Sequence, residues 1–199
     1  MAVMAVAALT ASAQKGEFHV TPHINAGYGN LSNAEIREEV GSFDLTSHLL
    51  GGIGADLEYM ISNSFGLSVG ADYNYLRSTT EKNGHGGELY TDYSFLNVPV
   101  LAQYHFGEGF ALKAGFQPMF LLEAEAHAKN NNTSKSATKS IKDDFENVTY
   151  AIPVGISYTF ETPVTVDLRC NIPVTKMNKY EADDSMKMLS VTVSVGYRF

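Results

Sequence analysis

The sequence predicts an all-β protein, an eight-stranded antiparallel up-and-down β-barrel that spans a membrane. Three observations carry that reading. Eight runs alternate apolar and polar residues with the period of two that an extended strand imposes, and their apolar faces hold no Asp, Glu or Lys and one Arg, Arg77, at a strand end. Connections alternate strictly, about three residues after the even-numbered runs and roughly fourteen or more after the odd-numbered ones, as the short turns and long loops of membrane barrels do. Aromatic residues collect at both ends of the apolar face, where a bilayer's two interfaces, about 25 Å apart, select them.

The first run, Glu17 to about Tyr28, sets Phe18, Val20, Pro22, Ile24, Ala26 and Tyr28 against His19, Thr21, His23, Asn25 and Gly27. A polar segment, residues 29–47, follows and carries most of its charge in Glu35–Glu39. The second run, His48 to Ile61, aligns Leu49, Ile53, Ala55, Leu57, Tyr59 and Ile61, and ends in the small polar turn Ser62-Asn63-Ser64. The third spans Phe65 to Arg77, and the loop Ser78–Asp92 beyond it contains NGHGG. The fourth, Tyr93 to Phe106, aligns Leu96, Val98, Val100, Ala102, Tyr104 and Phe106 and meets the turn Gly107-Glu108-Gly109. The fifth starts at Phe110; the longest loop, Glu123–Asn147, then offers AEAHAK and SIKDDF as short helical turns. The sixth, Val148 to Phe160, reaches the turn Glu161-Thr162-Pro163. The seventh aligns Val164, Val166, Leu168, Cys170 and Ile172, and a loop through MNKYEADDSMK leads to the eighth, Leu189 to Phe199.

Alternation by itself leaves open which face points inward, since a soluble barrel would bury the apolar one. The other face is rich in glycine and charge, holding Glu17, Asp56, Glu58, Asp72, Lys113, Asp167, Arg169 and Arg198. That is a poor core for a soluble protein, so the apolar face is assigned to lipid. Phe18, Tyr59, Phe65, Tyr104, Phe106, Phe110, Tyr158, Phe160, Tyr197 and Phe199 then lie at the short-turn end, and Tyr28, Tyr73, Tyr75, Phe120 and Tyr150 towards the other.

Composition narrows the function. With 44% hydrophobic and 18% charged residues, the 199-residue chain is not globally disordered. A net charge of −8 argues against nucleic acid, whose binding needs clustered Lys and Arg. Beyond residue 14 no stretch approaches the roughly 18 apolar residues of a membrane helix. The single Cys170 cannot form an internal disulfide, and no Cys/His set for zinc is present. Residues 1–13 read as a secretory signal peptide ending in Ala11-Ser12-Ala13, cleaved after Ala13, with the barrel domain in 14–199. The cationic stretch that ordinarily opens such a signal is missing, which points to a misassigned or trimmed start.

The export signal ending in ASAQ, the eight amphipathic runs, the NVPVLAQYHF segment and the closing SVGYRF resemble the small outer-membrane β-barrel family of Gram-negative bacteria, often catalogued as porin-family proteins. The resemblance spans nearly all of the mature chain and implies residence in the bacterial outer membrane. It also implies that Tyr197 and Phe199, matching that family's terminal aromatic pattern, are the signal read by the barrel assembly machinery. It implies no single activity.

The inward charges are expected to form a salt-bridged network that neutralises a narrow lumen; the competing reading is a proton or ion path. His19 and His23 share the inward face but lie about 13 Å apart on a strand, too far to chelate one ion. A lipid-modifying active site would need His, Ser and an acid to converge; His48, Ser47 and Ser78 stand near the rim with no acid assigned to them. NGHGG lacks the ending of a phosphate loop, and the sequons at Asn131, Asn132 and Asn147 are read as chance. No enzyme activity, cofactor or metal is expected. The expected partners are outer-membrane lipid, the assembly machinery, and an extracellular ligand or protein met through the loops by a monomer. The role assigned is structural or surface-interacting, with a small-solute pore or an accessory barrel of a secretion complex as alternatives.

Overall fold

The computed structural model describes residues 15–32, 35–38, 41–80, 87–130, 135–179 and 186–199. Residues 1–13, with Ala11 and Ala13, lie outside the described residues, as do Glu39, residues 83–86 of NGHGG, Asn131 and Asn132. Among the described residues eleven strands form: β1 (Phe18–Ser32), β2 (Glu35–Glu38), β3 (Gly41–Met60), β4 (Phe65–Thr80), β5 (Gly87–Asn97), β6 (Val100–Phe106), β7 (Phe110–Asn130), β8 (Lys135–Ser140), β9 (Val148–Thr159), β10 (Val164–Pro173) and β11 (Lys187–Tyr197).

The wall closes on itself through antiparallel pairs. β1 pairs with β3 and β11, β10 bridges β11 and β9, β9 pairs with β7, and β3 pairs with β4. Between β4 and β7 stand β5 and β6, end to end. They form one wall strand interrupted at Val98-Pro99, because proline has no N–H to give the ladder. Gly70 N donates to Pro99 O (2.8 Å) and Val98 N to Pro118 O (2.9 Å), which keeps the break seated. The result is a closed eight-stranded barrel without a free edge, as lipid requires. At the seam, Phe199 N donates to Val20 O (2.9 Å), two residues beyond the end of β11.

The long connections differ from expectation. Much of what reads as loop is ladder: β1 continues to Ser32, β3 starts at Gly41, β4 reaches Thr80, and β7 runs to Asn130. β2 folds onto β3 and β8 onto β7 as added ribbons. AEAHAK is therefore strand, paired on both sides, and not a helical turn. Helix propensity is a weak prior, and a hairpin leaving the bilayer satisfies its backbone groups most simply by continuing the ladder. SIKDDF does contain one 3-10 turn, Lys142–Asp144. At the other end the turns are tight. Gly107 (φ 58°) and Gly109 (φ 97°) occupy the left-handed region that the turn between β6 and β7 demands.

The outward face is bare hydrocarbon: Leu49, Ile24 and Ile53 are 71%, 64% and 63% exposed. In water such a surface would drive aggregation; in a bilayer it is solvated. The interior is stratified. Towards the short turns it is charged and polar. Towards the long hairpins it is apolar, which the assignment of the whole inward face to polar groups did not anticipate. Leu31, Leu50, Leu76, Tyr93, Phe95, Met119 and Met188 from the wall pack with Phe145, Met177 and Met186 from the connections. Glu146 N donates to Met177 O (2.7 Å) and Met177 N to Met186 O (2.8 Å), a cross-tie that seats these side chains in the barrel mouth.

Candidate functional site

The charged layer is built by register. Asp72 on β4 stands opposite Gly54 on β3, Asp56 on β3 opposite Gly70 on β4, and both Arg169 and Lys113 opposite Gly155 on β9. A Cβ at Gly54 would collide with Asp72 Oδ1, one at Gly70 with Asp56 Oδ1, and one at Gly66 with Glu58 Oε1. The glycines of the inward face are the space into which the charges fold.

Arg169 is the centre of the layer. Its guanidinium sits 3.4 Å from Asp56 Oδ2, Asp72 Oδ2 and Asp167 Oδ1. Lys113 Nζ is 2.8 Å from Asp167 Oδ2, and His23 Nε2 is 2.9 Å from Asp72 Oδ1. Nearer the short turns, Arg198 Nη2 lies 2.8 Å from Glu58 Oε2 and His105 Nε2 lies 2.6 Å from Glu58 Oε1. His19 Nδ1 is 3.3 Å from Phe199 O, and Glu17 stands at the rim with Oε2 3.8 Å from His19 Nε2. The structure thus brings Asp56, Asp72, Lys113, Asp167 and Arg169 into one cluster and Glu58 with Arg198 into a second, leaving Glu17 at the edge. His105 is the member that sequence reasoning missed. Its place on the same inward parity as Gln103, which donates to Ser68 Oγ (2.7 Å), was the available signal.

Among the described residues the interior is densely filled. Between the charged layer and the apolar plug lies a small cavity of about 20 Å³, room for about one water molecule. A second recess, about 630 Å³, lies at the short-turn end and is lined by His19, His105 and Arg198. His48 is buried inside the wall, its backbone opposite Ser78, and points away from the lipid face. Among the described residues no group of three or more His, Cys, Asp or Glu is arranged to hold a metal ion. Cys170 lies between the lipid-facing Leu168 and Ile172.

A second polar assembly stands outside, beyond the aromatic belt. Arg77 donates to both carboxylate oxygens of Asp92 (2.8 Å each) and to Tyr75 Oη (2.8 Å). Its guanidinium lies over the Tyr90 ring at 4.9 Å, and His127 stacks on that ring at 4.7 Å. Partial burial pushes the Asp92 carboxyl up, but the hydrogen bonds from Arg77 and Tyr75 outweigh it and hold Asp92 below the usual carboxylate range. This clamp ties β4, β5 and β7 together where they leave the membrane.

A closed wall of lipid-facing strands around a neutralised interior defines an integral β-barrel membrane protein. The chain belongs to the outer membrane protein beta-barrel domain family, which it matches over residues 1–199, and its place is the bacterial outer membrane. Solved structures with the same fold include Ail, the attachment invasion locus protein of Yersinia pestis (14% identity, 94% of this chain and 100% of that one, TM-score 0.50). Ail in complex with the heparin analogue sucrose octasulfate aligns at 15% identity over 92% and 99% of the two chains, TM-score 0.52. OprG from Pseudomonas aeruginosa aligns at 14% identity over 94% and 97%, TM-score 0.52. Identity at this level speaks for the fold alone. No curated protein sequence matches the chain.

Proposed function

We propose that this protein is a non-conducting wall protein of the outer membrane that presents paired hairpins to ligands or partner proteins outside the cell. The observation that carries the reading is the closed interior: a salt-bridged layer and an apolar plug separated by a cavity of about 20 Å³. A solute pore needs a continuous polar path, and Phe145, Met177 and Met186 stand across it. What remains available is the part that projects, and exposed segments on a rigid scaffold are where binding is ordinarily built. The barrel acts as scaffold, not as enzyme, and inserts as a monomer through Tyr197 and Phe199.

Ail, which shares this fold, has been solved in complex with the heparin analogue sucrose octasulfate. Its chemistry does not transfer directly. The first outer segment here holds Glu35, Glu38, Glu39 and Asp44 against Arg37, which suits a cationic partner better than a polyanion. Planar-bilayer recordings of the folded protein test the closed lumen, with stable, reproducible current steps as the outcome that ends the proposal. Binding of cationic against sulfated surfaces, compared before and after removal of residues 33–40, tests the hairpin role.

A further inference from the structure

Four interior amide oxygens have no hydrogen-bond partner: Oδ1 of Asn25, Asn74, Asn97 and Asn171. They come from β1, β4, β5 and β10, yet all four residues line the same cavity of about 20 Å³. Register explains the convergence. Asn25 stands opposite Gly52 and Gly52 opposite Asn74, so the row reads amide, gap, amide. A Cβ at Gly52 would collide with Asn74 Oδ1. Asn171 Nδ2 donates to Ser190 Oγ (3.0 Å), which leaves its Oδ1 free to face the cavity. Leu50, Phe95 and Met188 of the plug close the cavity on one side, Asp72 and Arg169 on the other.

An orphaned buried acceptor costs free energy, and a cluster of them calls for a water or an ion. One water has two hydrogens and serves two of the four oxygens. Gln117 Nε2 and Arg169 Nε lie on the same wall without hydrogen-bond partners, and neither reaches an Asn oxygen. A cation serves all four at once, as rings of carbonyl oxygens do in ion filters.

The charge of the layer selects among cations. Among the described residues the interior holds Asp56, Glu58, Asp72 and Asp167 against Lys113, Arg169 and Arg198, with His23 Nε2 2.9 Å from Asp72 Oδ1 and His105 Nε2 2.6 Å from Glu58 Oε1. A set so near balance is disturbed least by a monovalent ion, because uncompensated buried charge is expensive.

We propose that this cavity binds a single dehydrated sodium or potassium ion through the Oδ1 atoms of Asn25, Asn74, Asn97 and Asn171. The ion is structural. It satisfies the four amide oxygens and locks the charged layer to the apolar plug above it.

The test uses the full folded chain in detergent, unfolded by heat or urea in the chlorides of sodium, potassium and N-methyl-D-glucamine at equal ionic strength. The expected result is a saturable rise in the unfolding midpoint with sodium or potassium that the bulky organic cation does not give. Asn74→Leu, which removes one oxygen at similar volume, is expected to raise the half-saturating concentration at least tenfold. Should that variant fail to fold, crystals of the unaltered protein grown in rubidium chloride decide: an anomalous peak among the four asparagines supports the site. Equal midpoints in all three salts overturn it. So does ordered water without rubidium at the position.

Discussion

Replacing Arg169 with methionine tests the charged layer at its centre. The guanidinium is buried within 3.4 Å of three carboxylates. Once it is gone, Lys113 still faces Asp167 at 2.8 Å and His23 still faces Asp72 at 2.9 Å, but Asp56 keeps no ion-pair partner among those described. Removing one member of a buried ion network leaves an uncompensated charge and costs about 3–5 kcal/mol, a large part of the roughly 5–15 kcal/mol that folded domains possess. With a urea slope near 2 kcal/mol per M, a loss of about 4 kcal/mol lowers the midpoint by about 2 M. The assay is urea unfolding in detergent, followed by heat-modifiable gel mobility and circular dichroism, because the chain has no Trp to report by fluorescence. The double variant Arg169→Met/Asp56→Asn is expected to recover part of the loss, since it removes the charge that the first change strands. A single variant within about 0.5 M of the parent, or a double variant weaker than the single, would refute charge compensation as the basis of the closed lumen.

Gly70→Ala is expected to cost about 1–3 kcal/mol by overpacking, since the new methyl collides with Asp56 Oδ1; the same urea titration reads it. Phe145→Ala is expected to loosen the plug, exposing the outer hairpins to protease while the barrel keeps its heat-modifiable mobility, because the charged layer beneath is untouched. Phe199→Ala is expected to reduce the heat-modifiable fraction recovered from outer membranes without lowering the stability of protein refolded in detergent. Asp92, held below its ordinary range by Arg77, contributes clamp stability that is present above the unfolded value near 3.9 and lost as pH falls through the lowered value. The site is exposed, so the contribution is at most about 1 kcal/mol. Hydrogen exchange of β5 amides is expected to quicken only in that acidic range, and Asp92→Asn to abolish the pH dependence.

The wall was legible residue by residue, because a strand with lipid on one side has a binary code: Leu189, Val191, Val193 and Val195 outward, Ser190, Thr192 and Ser194 inward. Partners inside the barrel were not. Asp56 and Asp72 read as two inward acids, and only the closed ring of registers brings both onto Arg169, 97 residues from Asp72 along the chain. The plug was hidden for a different reason. Leu50, Leu76, Phe95 and Met119 fall on the nominally polar face, where isolated apolar residues in an alternating pattern look like noise. They become a core only when Phe145 and Met177 fold in from segments with no periodicity at all. The outer hairpins were underestimated because the small residues Ala124, Ala126 and Ala128 alternate there with Glu125, His127 and Lys129, a pattern too weakly apolar to mark a strand.

The stratified interior follows from the bilayer's demand on a barrel of this size. Eight strands leave space that side chains nearly fill, so the lumen is packed, and the polar groups within it depend on partners inside the barrel. Charges meet that demand only in balanced sets with room to fold, which is why the inward face interleaves carboxylates and guanidinium with glycine. Hydrocarbon meets it without partners, and so the mouth, where connections from several hairpins converge and no strict register is imposed, fills with methionine and aromatic side chains. On the reading proposed above, a barrel packed in this way gives up transport as a use for its interior. Variation that could acquire a new ligand without unseating the charged layer is confined to the ribbons beyond the membrane, the part of this chain where β2 and β8 have been added to the eight-stranded wall.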